Sequence, residues 1–221
     1  MSAYLNYCDE CAKVTNITLS YFAAKSNQGA TKNIMTTQLQ EASLYSLDPA
    51  HTTVEFVVRH LMIAKVRGRF TNFDGQIELA PEADIPMAIR STIDAGSVDT
   101  GVDQRDEHLR SADFFDTEKH PNLTFESTRI GGSPERFTIH GKLTIHGVTR
   151  DVVLTGTFEG RVADPWGGSR VGYSAYGTIN RKDFGLMWNS VLETGGVALG
   201  DDVRIELNVE AVLQGSNGQL A

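Results

Sequence analysis

Cysteine is nearly absent from this chain, and long apolar runs are absent altogether. Only Cys8 and Cys11 occur among 221 residues, both in a C-D-E-C tetrad near the start. No disulfide framework can therefore hold the rest of the chain together. A C-x-x-C pair serves as half of a zinc site or as a redox couple, but no second pair, nearby histidine or βαβ pattern accompanies this one. The tetrad is expected to lie in an unstructured tail. Nothing approaches about 18 consecutive apolar residues, so no membrane-spanning helix is expected. Positive charge is scarce as well: 20 Lys and Arg stand against 28 Asp and Glu, a net charge of −8. Such a surface repels nucleic-acid phosphates.

Recognised catalytic spacings are missing too. The six histidines are His51, His60, His108, His120, His140 and His146. None falls in H-x-x-x-H or H-E-x-x-H spacing, so no metal set is expected. There is no G-x-S-x-G elbow, and no glycine-rich turn sits between a strand and a helix where it would cradle phosphate. Neither a cofactor nor a catalytic activity is expected. An export signal needs a basic start and an unbroken apolar core. Here the first positive charge is Lys13, and the apolar stretch Leu19–Ala24 is short. The expectation is a cytoplasmic protein, and the sequons at Asn16 and Asn122 then carry no weight.

What is present divides into two parts. Residues 1–43 are polar and without period, and are expected to be a poorly structured extension, with Met35 as an alternative start. Residues 44–215 carry strand patterning, and 216–221 form a tail. In Val203–Leu213, the row Val203, Ile205, Leu207, Val209 and Ala211 alternates with Arg204, Glu206, Asn208 and Glu210. Period two over that length means one face buried and one in water. Phe137–Ile145 repeats the scheme. Further inward rows are Val152, Leu154, Gly156 and Phe158, then Val171, Tyr173, Ala175, Gly177 and Ile179, then Leu123, Phe125 and Ser127. Earlier strands are expected over Tyr45–Leu47, Thr52–His60, Ala64–Leu79 and Met87–Ala95. Turn chemistry separates them, as at Gly131–Pro134, His146-Gly147 and Asp164–Gly168. Asp103–Ala112 suits a short surface helix, and Arg181–Leu199 a long loop with a turn of helix.

About eight amphipathic strands joined as neighbours leave a sandwich or a closed antiparallel barrel with one or two short helices. Gly141, Gly156, Ala175, Gly177 and Ala211 all sit on inward registers, where glycine needs a reason. Two reasons stay open: an interior kept partly empty, or close packing at barrel corners.

Five blocks then make the reading specific: HTTVEFVVRHLMIAKVRGRF at residues 51–70, RDEHLRSADFFD at 105–116, HPNLTFES at 120–127, LTIHGVTR at 143–150 and RKDFGLMWN at 181–189. Together they resemble the YceI-like family of polyisoprenoid- and lipid-binding proteins, over about residues 44–213. The resemblance implies a mainly β, lipocalin-like antiparallel barrel whose lumen takes a long isoprenoid chain or isoprenoid quinone. It also implies a homodimer in some members. On that footing the expected lipid wall is Phe56, Val58, Phe73, Ile77, Leu79, Ile93, Phe125, Leu143, Leu154, Phe158 and Ile205. Arg59, His60, Phe114, Phe115, Trp188 and Asn189 are candidates for the rim or head-group contact. Arg181 and Asp183 are expected to fix the loop. The alternative is an enzyme working at the barrel mouth through a histidine–carboxylate pair.

Overall fold

The computed structural model describes residues 42–61, 63–164, 168–190 and 198–215. The expectations for the extension at 1–43 (all but its last two residues), with the cysteine tetrad and Met35, and for the tail at 216–221 lie outside them. Eleven strands follow in chain order. They are β1 (Ser43–Leu47), β2 (Thr53–His60), β3 (Ala64–Phe70), β4 (Phe73–Leu79), β5 (Ala88–Asp94), β6 (Val98–Asp99), β7 (Asn122–Ser133), β8 (Arg136–Ile145), β9 (Val148–Ala163), β10 (Ser169–Asn180) and β11 (Leu199–Leu213). One α-helix, α1 (Asp103–Arg110), joins β6 to β7, and a 3₁₀ turn spans Arg181–Phe184.

All eleven belong to a single antiparallel sheet that closes on itself. β11 pairs with β2 along Val203–Asn208 and with β1 along Ala211–Leu213, so β1 and β2 are two halves of one bent strand. β3 and β4 form a second bent strand, pairing with β2 and β1 respectively. β5 and β6 form a third, since β4 pairs with β5 and β3 with β6. Five unbroken strands complete the circuit, giving an eight-stranded up-and-down barrel. Closure removes the unpaired edges that an open sheet would expose.

The bends have local causes. Ala64–Leu79 was expected as one strand, and Thr71-Asn72 interrupts it. There Thr71 N and Oγ1 donate to the Ser97 carbonyl, and Asn72 N donates to Ser97 Oγ. The opposite bend at Ala95–Ser97 thereby receives the donors that the ladder loses. Gly131–Ser133, expected as a turn, extends β7 instead, and the hairpin turns at Pro134-Glu135.

Two apolar clusters pack at the two ends of the barrel. Phe70, Ala95, Val98, Phe115, Leu143, Phe184 and Leu186 gather beneath α1. Tyr45, Leu79, Phe137, Val171, Tyr173 and Ala211 gather at the other end. That far end is tied by Arg170, which donates to Asp164 Oδ2 at 2.6 Å, Asp48 Oδ2 at 2.6 Å and Glu210 Oε1 at 2.5 Å.

Candidate functional site

Between the two clusters runs a cavity of about 410 Å³ with an almost wholly apolar wall. Its longest side is β11. Val203, Ile205, Leu207 and Val209 all line it, and six residue-to-residue steps of strand at ~3.3 Å each make a row ~20 Å long. These side chains point to the interior yet are only half-buried. An inward row that stays accessible means the lumen is not plugged by side chains.

The inward glycines do not face that space. A Cβ at Gly141 would meet the Phe125 ring at 2.4 Å, one at Gly156 the Phe137 ring at 2.4 Å, and one at Gly177 the Leu154 side chain at 2.4 Å. Of the two reasons left open, close packing is the one found here. Its effect still favours a cavity, because large side chains lie flat on the wall over a glycine rather than crossing the lumen.

Phe56, Val58, Phe73, Ile77, Ile93, Phe125, Leu143, Leu154 and Ile205 line the cavity. Leu79 and Phe158 were expected there and do not. Leu79 is fully buried in the far-end cluster. Phe158 packs on the far-end cluster beyond the cavity, against Tyr173 with ring centroids 5.5 Å apart. It pairs with the inward Tyr173 just before β9 slips register against β10, so alternation gives its face but not its depth along the barrel. Wall residues that the expectation omitted include Val203, Leu207, Val209 and Tyr173. Their signal was visible: each belongs to an inward row read from the alternation.

The end beneath α1 is the mouth. His60 is exposed and lines the cavity; Phe114, Phe115 and Trp188 line it as well. His108, on α1 and not anticipated, stands edge-on between two of those rings. Its centroid is 5.1 Å from Phe114 and 4.8 Å from Trp188, and those two rings are 5.3 Å apart. His108 Nε2 also lies 3.0 Å from Asp113 Oδ2. Arg59, by contrast, points outward beside Lys65, Arg67 and Asp201, away from the lumen. Asn189 is no rim contact either. It bridges the loop to β11, with Nδ2 donating to the Leu199 carbonyl at 2.7 Å and Leu199 N donating to Oδ1 at 3.0 Å.

Two groups of hydrogen bonds hold the mouth. Arg181 is 2 % exposed and donates to the carbonyls of Leu186 (2.5 Å), Trp188 (2.8 Å) and Gly200 (3.0 Å). Burial pulls its guanidinium below the usual range, and the Asp201 carboxylate works against that pull. Arg181 is thus the clamp that positions Trp188, whereas Asp183 is exposed. On the helix side, Asp106 accepts from Thr100 N at 3.0 Å, and Arg110 donates to the carbonyls of Gly96 (2.7 Å) and Val98 (2.9 Å). Arg105 donates to Thr100 Oγ1 at 2.7 Å. The charged residues of α1 therefore fasten it to the bent β5–β6 strand, leaving Leu109 over the lumen.

Known proteins resemble this chain in sequence and fold. The chain is 39% identical over 171 residues to UPF0312 proteins of Staphylococcus aureus strains bovine RF122 and N315, covering 75% of this chain and 95% of each relative. The YceI protein of Campylobacter jejuni superposes with a TM-score of 0.62 at 31% identity, over 70% of this chain and 88% of that one. BcnA of Burkholderia cenocepacia has the same fold, with a TM-score of 0.64 at 23% identity, over 74% of this chain and 98% of that one. So does a polyisoprenoid binding domain from Saccharophagus degradans, with a TM-score of 0.54 at 18% identity, over 76% and 98% of the two chains. The family model for the YceI-like domain matches residues 45–211, which span the barrel from β1 to β11, and the chain belongs to that family.

Proposed function

We propose that this protein binds a long-chain amphiphilic lipid, a polyisoprenoid or isoprenoid quinone, for storage, transport or sensing. Its apolar chain would lie along β11 and its polar head at the mouth, beside His60, His108 and Trp188. The observation that carries this reading is the open, inward row Val203–Val209. A slot with ~20 Å of apolar wall suits an extended chain rather than a compact ligand. Each methylene moved from water into it contributes about 0.8 kcal/mol, so ten or so outweigh the ordering of a flexible chain. The fold shared with a polyisoprenoid binding domain supports the same ligand class. Homodimerisation, which the family resemblance implies, is part of the proposal and is read by sedimentation.

A catalytic mouth is the second reading, and the His108–Asp113 pair is the geometry it would use. Those side chains are 38% and 57% exposed, without the desolvation that strengthens a catalytic pair. The packing of His108 against Phe114 and Trp188 suits a wall better than a reaction centre.

Trp188 reports occupancy directly. In a Trp166→Phe background, titration with an isoprenoid quinone should quench Trp188 fluorescence saturably at one quinone per chain. Quenching that stays linear with quinone concentration, as simple collision gives, would refute the assignment.

A further inference from the structure

We infer that Asp116, His120 and His146 form a binding site for a zinc-class divalent cation at the barrel mouth. Their ligand atoms (one carboxylate oxygen and two imidazole nitrogens) all lie within 4.8 Å of one another. The site is separate from the lumen, and the inference stands whether or not the lumen holds a lipid.

Three segments build it. The connector after α1 makes a helical turn in which Lys119 N and His120 N donate to the Asp116 carbonyl at 2.9 and 2.8 Å. That turn sets Asp116 and His120 on one face at i,i+4 spacing. His146 enters from the two-residue hairpin between β8 and β9, where Ile145 pairs with Val148. The third segment is the 3₁₀ turn at Arg181–Phe184, whose closing Gly185 lies against the His146 ring.

Backbone geometry singles out the same residues. Asp116 and His146 both have left-handed backbone, with φ of 47° and 52°. Among the described residues only four non-glycine positions do so, and two of them meet here. Such conformations carry a cost and gather at functional sites. The His120 ring lies so close over the hairpin that a Cβ at Gly147 would sit 2.7 Å from Cε1. The two imidazoles are in edge contact, centroids 4.8 Å apart. Among the described residues, neither ring has a hydrogen-bond partner in the protein.

The donor set fits the cation. Two imidazoles and a carboxylate are a three-ligand zinc set, with the fourth position left to water. Asp116 spends Oδ2 on Lys119 Nζ at 2.8 Å, which leaves its second oxygen for the cation. Lys119 is 72% exposed on a flexible stem and can turn to solvent. Tetrahedral coordination needs ligand atoms roughly 3.3 Å apart, so the three side chains draw together on binding. Among the described residues the other such cluster is Asp48, His51 and Glu210, whose two carboxylates already neutralise Arg170, and it is no rival. A cation at Asp116 would staple the connector bearing Phe114 and Phe115 to the hairpin, fixing two rings of the mouth.

The test is a titration of zinc chloride into chelator-treated full-length protein carrying Cys8→Ser and Cys11→Ser, which removes the only thiols from competition. One zinc per chain should bind, and cobalt should give the intense visible bands of a tetrahedral site. His146→Asn keeps a residue at home in the left-handed turn, so the hairpin still forms. That variant and His120→Gln should each bind zinc at least about tenfold more weakly, with unchanged far-ultraviolet circular dichroism. His51→Gln should bind as the parent does. No stoichiometric zinc binding, or binding by the His146 and His120 variants as tight as the parent's, would overturn the site.

Discussion

Gly68 and Phe56 show how single residues shape the lumen. They face each other across β3 and β2, and a Cβ on Gly68 would lie 2.3 Å from the tip of the Phe56 ring. The ring has only the lumen to move into. Gly68→Ala should therefore cost about 1–3 kcal/mol in urea unfolding and also weaken lipid binding, two losses with one steric cause. Arg181 acts differently, by holding backbone. Replacing it with methionine strands three carbonyls and leaves Asp201 with Lys182 as its remaining cation. Arg181→Met should lower stability by about 2–4 kcal/mol and red-shift Trp188 emission as the loop is released. Unchanged emission would mean that Arg181 does not position Trp188.

Among the elements, the long strands β8 to β11 were legible because each has one face in a core or lumen and one in water. The three bent strands were legible as strands, but their bends and the burial direction of β2 were not. In β2, Val57 and Val58 are both buried, which destroys the alternation. Val58 faces the lumen, while Val57 lies on the outer face between its cross-strand partners Arg67 and Arg204. The bends at residues 71–72 and 95–97 rest on mutual hydrogen bonds between segments 25 residues apart, which no local pattern announces. The bend between β1 and β2 has a consequence for acid stability. Burial alone would raise Asp48, but the Arg170 guanidinium, His51 and the Ala50 N–H overcome it and hold the carboxyl at about 2, against an ordinary 3.8. A depressed carboxyl stabilises the fold above its unfolded value and loses that contribution as pH falls through its folded one. Unfolding free energy should thus drop by on the order of 1–2 kcal/mol between pH 4 and about 2. Asp48→Asn should abolish that part of the slope, and a slope that persists in the variant would place it elsewhere. His51 shifts upward through Asp48, so its own contribution is present below pH 6.5 and fades above it.

At the scale of the molecule, closure and hollowness have different origins. Closure comes from strands that follow one another as neighbours, which turn chemistry and alternation convey. Hollowness depends on how far side chains on opposite walls reach, a three-dimensional quantity that alternation does not encode. That is why most of the wall could be named from inward rows, while Phe158 and Leu79 could not be told from it. The mouth was legible only as a set of residue types. Phe114 and Trp188 were named, but His108 joins them through a helix orientation set by Asp106 and Arg110. Asp116, His120 and His146 escaped notice because the third ligand arrives from a hairpin 26 residues beyond the second.

Organic extraction of protein purified from its own host without detergent, followed by mass spectrometry, tests the central claim most directly. Run beside it, Ala175→Trp places a large ring in the lumen from a half-buried wall position. The parent should yield a long-chain isoprenoid or related amphiphile approaching one per chain, and the folded variant should yield almost none. A parent that carries no lipid and takes up none when offered, or a variant that carries as much as the parent, would contradict the account.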